Sequence, residues 1–85
     1  MEYALTETGA EHPQTLMFIH GAGVSGWMWQ KQLAVFGQRY HCLVPDLPDH
    51  GRSADLPFTT LEEVAAGLLA LIKARAHGGK AIIIG

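Results

Sequence analysis

The sequence is poor in cysteine. Cys42 stands alone among 85 residues, so no internal disulfide can form, and a reducing, cytoplasmic setting is the simplest expectation. No apolar run approaches the ~20 residues that a membrane-spanning helix needs. Met1 to Ala10 also lack the basic start and apolar stretch of a secretory leader. Charge is sparse: 16% of residues, both signs interspersed, net charge −2. No basic patch exists to hold a phosphate backbone, so neither nucleic acid nor a membrane surface is an expected partner. His12, His41 and His77 have no partners at metal-ligand spacing, so no metal site is expected. There is no internal repeat and no low-complexity tract. This length allows one small domain with a thin core. A hydrophobic fraction of 48% is high for so short a chain and suits a piece of the interior of a larger α/β domain.

What is present alternates in period. Met1 to Thr8 reads as an N-terminal strand and Gly9 to Gln14 as a turn. Thr15-Leu16-Met17-Phe18-Ile19 is a short continuous apolar run, the pattern of a strand buried on both faces. Gly21 to Gly26 is a glycine-rich loop. Trp27 to Phe36 reads as a helix, with Trp29, Leu33 and Phe36 near helical spacing and Gly37 as its stop. Tyr40 to Val44 is a further strand. Pro45 to Phe58 is a loop, punctuated by Pro48, Pro57, Asp49, Asp55 and Gly51. Thr60 and Glu63 have the spacing of a capping box. Leu61, Val64, Ala65, Leu68, Leu71 and Ile72 then form an apolar helical stripe, and Gly78-Gly79 ends it. Ala81 to Ile84 is a uniformly apolar strand. The β-α-β-α-β order predicts a mostly parallel sheet with right-handed crossovers and helices on both faces. Ligands of such sheets bind beyond the carboxyl ends of the strands, where strand order reverses. The loops after Ile19 and after Ile84 are therefore the candidate site.

The first of these loops, His20 to Gly26, supports two readings. Acyl transfer builds negative charge on a carbonyl oxygen, and pre-aimed backbone N–H groups stabilise it. Glycines let a backbone turn sharply and approach a substrate closely. The other reading is a dinucleotide site: Gly21-x-Gly23-x-x-Gly26 matches G-x-G-x-x-G between a strand and a helix, and Asp46 lies where a ribose-binding acid belongs. Against it, Trp27, Met28 and Trp29 crowd the position where helix and strand should pack closely. The second strand also runs into a His-Gly-Arg-Ser tail that a nucleotide does not require.

Phe18-Ile19-His20-Gly21-Ala22-Gly23 followed by Trp27 and Trp29 is similar to the opening of many α/β-hydrolases. Pro45-Asp46-Leu47-Pro48-Asp49-His50-Gly51-Arg52-Ser53 resembles that family's second hallmark. Ile82-Ile83-Ile84-Gly85 resembles the strand that enters its nucleophile elbow. Residues 14 to 85 carry the likeness. One departure is Asp49, where the family usually has glycine; Asp can still adopt a left-handed turn. The resemblance implies an α/β-hydrolase fold, incomplete in this chain, with residues 1–85 as the N-terminal part of a single domain. It implies that the Ala22 N–H is one oxyanion donor, with His20, Gly21 and Gly23 shaping the loop around the substrate and His20 not the catalytic base. The nucleophile, acid and base histidine lie after Gly85 in the family's order, so the 85 residues alone are expected to be inactive. The expected parent is an esterase-, thioesterase- or lactonase-like enzyme that needs no cofactor. Its partners are a small acyl substrate and the rest of the parent chain. A non-catalytic binding member of the same fold is the remaining alternative.

Other conspicuous residues have plainer explanations. Trp27 and Trp29 are read as packing anchors between helix and sheet. Ser25 has no oriented base near it in sequence and reads as a loop or cap serine. Asp49 and His50 read as a solvated turn, Arg52 and Ser53 as stabilisers of that loop, and Asp46 as its brace. Cys42 reads as a small core residue.

Overall fold

The computed structural model describes residues 3–85. Strand β1 (Leu5–Thr8) precedes β2 (Thr15–Phe18), helix α1 (Gln30–Phe36), β3 (His41–Pro45), helix α2 (Leu61–Arg75) and β4 (Ile82–Ile84). The Met1-Glu2 end of the expected first strand lies outside the described residues. The strands form one mixed sheet in the order β1-β3-β2-β4. β2 pairs parallel with β3, Leu16 opposite Cys42, and parallel with β4, Leu16 opposite Ile82. β1 runs antiparallel on the outer edge of β3, Leu5 opposite Pro45.

Alternation along the two central strands sends side chains to opposite faces. Leu16, Phe18, Cys42 and Val44 form one core with Trp29 and Leu33 from the α1 side. Met17 and Leu43 form the other with Ile72, Leu68 and Leu71 of α2. The continuous apolar runs are thus explained by a helix on each face. Phe18, Met17 and Leu43 are almost completely buried, and each such side chain stabilises the fold by roughly 1.5–3 kcal/mol.

Several local expectations are refined. The segment from Gly26 to Trp29 is a 3₁₀ turn, and the α-helix begins only at Gln30. With about three residues per 3₁₀ turn, Trp27 and Trp29 cannot share a face. Trp29 packs on Phe18 with ring centroids 5.2 Å apart, whereas Trp27 is 66% exposed and is not a core anchor. At the start of α2, the Thr60 hydroxyl caps the Glu63 amide at 3.1 Å. The return half of the capping box is absent, because the Glu63 carboxylate accepts from the Thr59 hydroxyl at 2.8 Å. The sheet-facing line of α2 starts one turn in, at Val64; Leu61 and Ala65 are exposed. β4 is apolar but lies at the sheet's edge, with Ile82 and Ile83 half exposed.

Polar residues staple the amino ends of the parallel strands. The Glu7 carboxylate meets His41 Nε2 at 2.5 Å and accepts from Arg75 at 3.0 Å. His41 Nδ1 lies 3.0 Å from the Thr15 hydroxyl, which accepts from the His77 amide. Four elements separated widely in sequence are joined there, so His41 is tolerated on a buried strand because both ring nitrogens are partnered.

Candidate functional site

From β2 the chain passes to β3 on one side, then crosses back over β2 to β4 on the other. Strand order therefore reverses between β2 and β4, and the Ile19 amide donates to the Ile84 carbonyl at 2.8 Å across this point. The glycine loop leaves β2 here. It lies against the loop that leaves β3, and the two are cross-braced by side chains from both motifs.

His20 is buried, and its ring bridges the two loops. Nε2 accepts from the Leu47 amide at 3.0 Å, and Nδ1 lies 2.8 Å from the Gly21 carbonyl oxygen. A carbonyl only accepts, so Nδ1 carries the proton and the partners fix the tautomer. The His50 ring lies beside it, centroids 5.1 Å apart. By the same logic His50 Nδ1 donates to the Pro48 carbonyl at 2.9 Å, and Nε2 accepts from the Gly23 amide at 3.4 Å.

Asp46 closes the far end. One carboxylate oxygen accepts from the Gly26 amide at 2.7 Å; the other accepts from the Arg52 amide at 3.0 Å and from Arg52 Nε at 3.4 Å. Burial alone would raise this carboxyl group's pKa. The amides of Arg52 and Gly26 and the Arg52 guanidinium outweigh that and hold it below the usual carboxylate range. Ser53 completes the brace, donating to the Asp46 carbonyl at 2.6 Å and accepting from the Ala4 amide at 2.9 Å. Arg52 also reaches the Thr6 hydroxyl at 2.9 Å.

Backbone geometry accounts for the small residues. Gly23 has φ 81°, the sign that the third position of a type II turn requires. A Cβ on Gly51 would meet Ser25 Cβ at 2.7 Å and Asp46 Oδ2 at 2.8 Å, so the two loops can touch only through a glycine. Asp49, the departure from the family's usual glycine, adopts φ 66° and so supplies the left-handed turn itself.

Ala22 and its neighbours Gly21 and Gly23 are exposed at the tip of this braced loop. Beside them an open recess of about 400 Å³ is walled by Val24, Ser25, Trp27, Asp49 and His50. Ser25 precedes the 3₁₀ turn, but its hydroxyl makes no capping bond. Gly26 and Asp46, two groups that the dinucleotide reading requires, are bonded to each other. That leaves the Gly26 amide closed to a pyrophosphate and one Asp46 oxygen closed to a ribose. Among the described residues, no three His, Cys, Asp or Glu side chains group closely enough to hold a metal ion. No helix of the described residues is long and apolar enough to cross a membrane.

The bracing roles of Asp46, Arg52 and Ser53 follow the sequence reading. The tie from His50 to the glycine loop was not readable from it. Its only signal is that His50 falls within the same short motif as the left-handed Asp49.

Comparison with known proteins addresses the family. The sequence model of the alpha/beta hydrolase family matches residues 16–85. An AB hydrolase superfamily protein of Gibberella zeae is 36% identical over 73 residues, 85% of this chain and 26% of that protein. A pimeloyl-[acyl-carrier protein] methyl ester esterase of Vibrio cholerae is 38% identical over 56 residues, 66% of this chain and 22% of that protein. A haloalkane dehalogenase of Bradyrhizobium diazoefficiens is 36% identical over 50 residues, 59% of this chain and 16% of that enzyme. The chain thus spans about a quarter or less of the length of these relatives. No solved structure matches significantly. With the family's sequence model matched over residues 16–85 and the β-α-β-α-β sheet in place, the chain belongs to the alpha/beta hydrolase family.

Proposed function

We propose that this chain supplies the oxyanion-stabilising loop of an acyl hydrolase acting on a small ester, thioester or lactone. The Ala22 N–H is one donor; His20, Gly21 and Gly23 shape the loop around the substrate. The nucleophile, acid and base histidine belong to the part of the protein beyond residue 85, which is this segment's necessary partner. One observation carries the reading. The exposed Ala22 sits at the strand-order reversal, on a loop whose flanking residues are tied down at His20, Gly23 and Gly26. Oxyanion stabilisation needs this combination, because a donor works in the transition state only if it is already aimed. The names of the relatives support the reaction class: an esterase and a dehalogenase both break a bond at carbon.

The test uses the intact natural protein with p-nitrophenyl esters and a fluorophosphonate label for an activated serine. Ala22→Gly keeps the N–H and leaves turnover near wild type. Ala22→Pro deletes it and lowers turnover on the order of 10²–10³-fold, as for loss of one oxyanion donor. Circular dichroism must confirm that the proline variant folds. Near-normal turnover in a folded proline variant removes Ala22 from the mechanism. A protein with no nucleophilic side chain two residues past Gly85 is instead a binding member of the fold.

A further inference from the structure

Three side chains beside the glycine loop take no part in bracing it. Trp27 is 66% exposed and lies outside the core. The Ser25 hydroxyl makes no capping bond. Asp49 is exposed, and its carboxylate enters none of the ion pairs of the described residues. All three wall the recess of about 400 Å³ that begins at Gly23, the neighbour of Ala22.

The charge of that recess has one sign. Among the described residues no lysine or arginine lines it. Arg52 walls the neighbouring recess, where its guanidinium is drawn to Asp46 and to the Thr6 hydroxyl. The His50 ring, donating from Nδ1 and accepting at Nε2, is neutral. Asp49 is thus the one formal charge on the wall. Beside it the Trp27 indole offers the negative side of its quadrupole at the ring face. An aromatic face and a carboxylate attract one kind of group in common, an organic cation, and tryptophan is the best aromatic acceptor of one. Both repel a free carboxylate or a phosphate. A neutral alkyl group gains only the apolar contact with the indole.

We propose that this recess is the subsite for a cationic, alkylammonium-bearing arm of the substrate, with Trp27 and Asp49 as its specificity-determining residues. The proposal rests on the oxyanion reading of Ala22 and narrows the substrate class. A substrate whose carbonyl oxygen meets the Ala22 N–H lays one arm past Gly23 into the recess. There the cation lies against the indole and the Asp49 carboxylate, and the Ser25 hydroxyl can accept from an ammonium N–H. Neither Trp27 nor Asp49 touches the reacting bond, so both act on the choice of substrate rather than on the chemistry.

Matched esters test this on the full-length protein. Each trimethylammonium ester is paired with its carbon isostere, in which carbon replaces the quaternary nitrogen, with the cation placed on the alcohol arm or on the acyl arm. For one arm, kcat/KM should favour the cationic ester by roughly tenfold, the combined scale of an exposed cation–π contact and an exposed ion pair. Asp49→Asn removes the charge and keeps a residue that tolerates the left-handed turn at φ 66°. It should lower the ratio severalfold, as should Trp27→Leu, and added salt should lower it in the wild type. The ratio is internal to each variant, so a general loss of activity cancels. No preference on either arm in the wild type overturns the proposal, as does a preference that survives both substitutions. Binding is read separately by saturation-transfer NMR with choline, whose methyl signal should exceed that of its carbon isostere and fall in both variants. Should the protein turn over no ester and take no fluorophosphonate while choline still gives that signal, the hydrolase reading alone has failed. Ester turnover with no choline signal and no cation preference sinks the subsite alone.

Discussion

Replacing Asp46 tests the brace between the two loops more directly than any other substitution. Asp46 is 4% exposed, and its carboxylate takes three N–H bonds, from the Gly26 amide, the Arg52 amide and Arg52 Nε. Asp46→Ala leaves the Gly26 amide without its acceptor inside the protein, while the more exposed Arg52 groups can turn to water. A buried donor stripped of a charged acceptor costs roughly 1.5–3 kcal/mol, and the alanine variant should lose about that much. Asp46→Asn keeps an acceptor for Gly26 but sets an NH₂ against the Arg52 donors, so it should fall between the two. The pH dependence follows from the depressed carboxyl group. Its folded pKa lies below its unfolded value, so the stability it contributes is complete above the ordinary aspartate pKa of about 3.9. That contribution is lost as pH falls through the folded value. Urea unfolding of the intact protein, followed by circular dichroism, should therefore give a gap between wild type and Asp46→Asn that is constant from about pH 5 upward and narrows below about pH 4. A gap under about 0.5 kcal/mol for Asp46→Ala, the range of an ordinary surface substitution, refutes the reasoning. So does a gap that widens in acid.

The Cys42 thiol is buried on β3, and burial pushes it above its ordinary value. Ellman's reagent should leave it unmodified in the folded protein and react promptly in denaturant; fast reaction of the native state would place it at the surface. A polypeptide of residues 1–85 presents β4 as an apolar edge, with Ile82 and Ile83 half exposed and no charge within the strand. Such an edge pairs readily with another chain, so this polypeptide should self-associate in sedimentation, and Ile83→Lys should reduce the association. It should also cleave no p-nitrophenyl ester, since it carries the proposed donor without a nucleophile; measurable turnover would contradict the proposed division of labour.

The parts of the fold that repeat were legible in the sequence. Leu16 to Ile19 and Cys42 to Val44 are apolar throughout because α1 and α2 cover both faces of the sheet they build. The Thr60 cap fixed the start of α2 to the residue. Where two elements compete for the same residues, the pattern failed. The apolar spacing reads equally well as an α-helix starting at Trp27 or a 3₁₀ turn starting at Gly26; in either, Trp27 and Trp29 face different ways, and only the packing of Trp29 on Phe18 shows which one is inside. Polar contacts were the least legible. His20 and Leu47 are 27 residues apart, as are Gly23 and His50. The pairing of two parallel strands brings them together, and no local period encodes it. A histidine inside an apolar strand, such as His41, does signal a buried partner, but not which one; Glu7 and Thr15 emerge only from the register.

The same long-range contacts reconcile two demands that conflict in a loop. A donor that meets substrate must be exposed, and exposed backbone is ordinarily mobile. Electrostatic stabilisation nevertheless requires that the donor not reorganise during the reaction. Here the exposed segment is only three residues long, Gly21 to Gly23, and both its ends are tied to the loop after β3. That loop is pinned in turn by Asp46 and Ser53 to β3 and to the Ala4 amide just before β1. Rigidity therefore reaches the tip from the sheet through side chains of the second motif, and Gly51 permits the close approach. On this view the two motifs are one device: substitutions in residues 46–53 should lower turnover through the aim of Ala22 even though none of those residues lies on the loop that carries it.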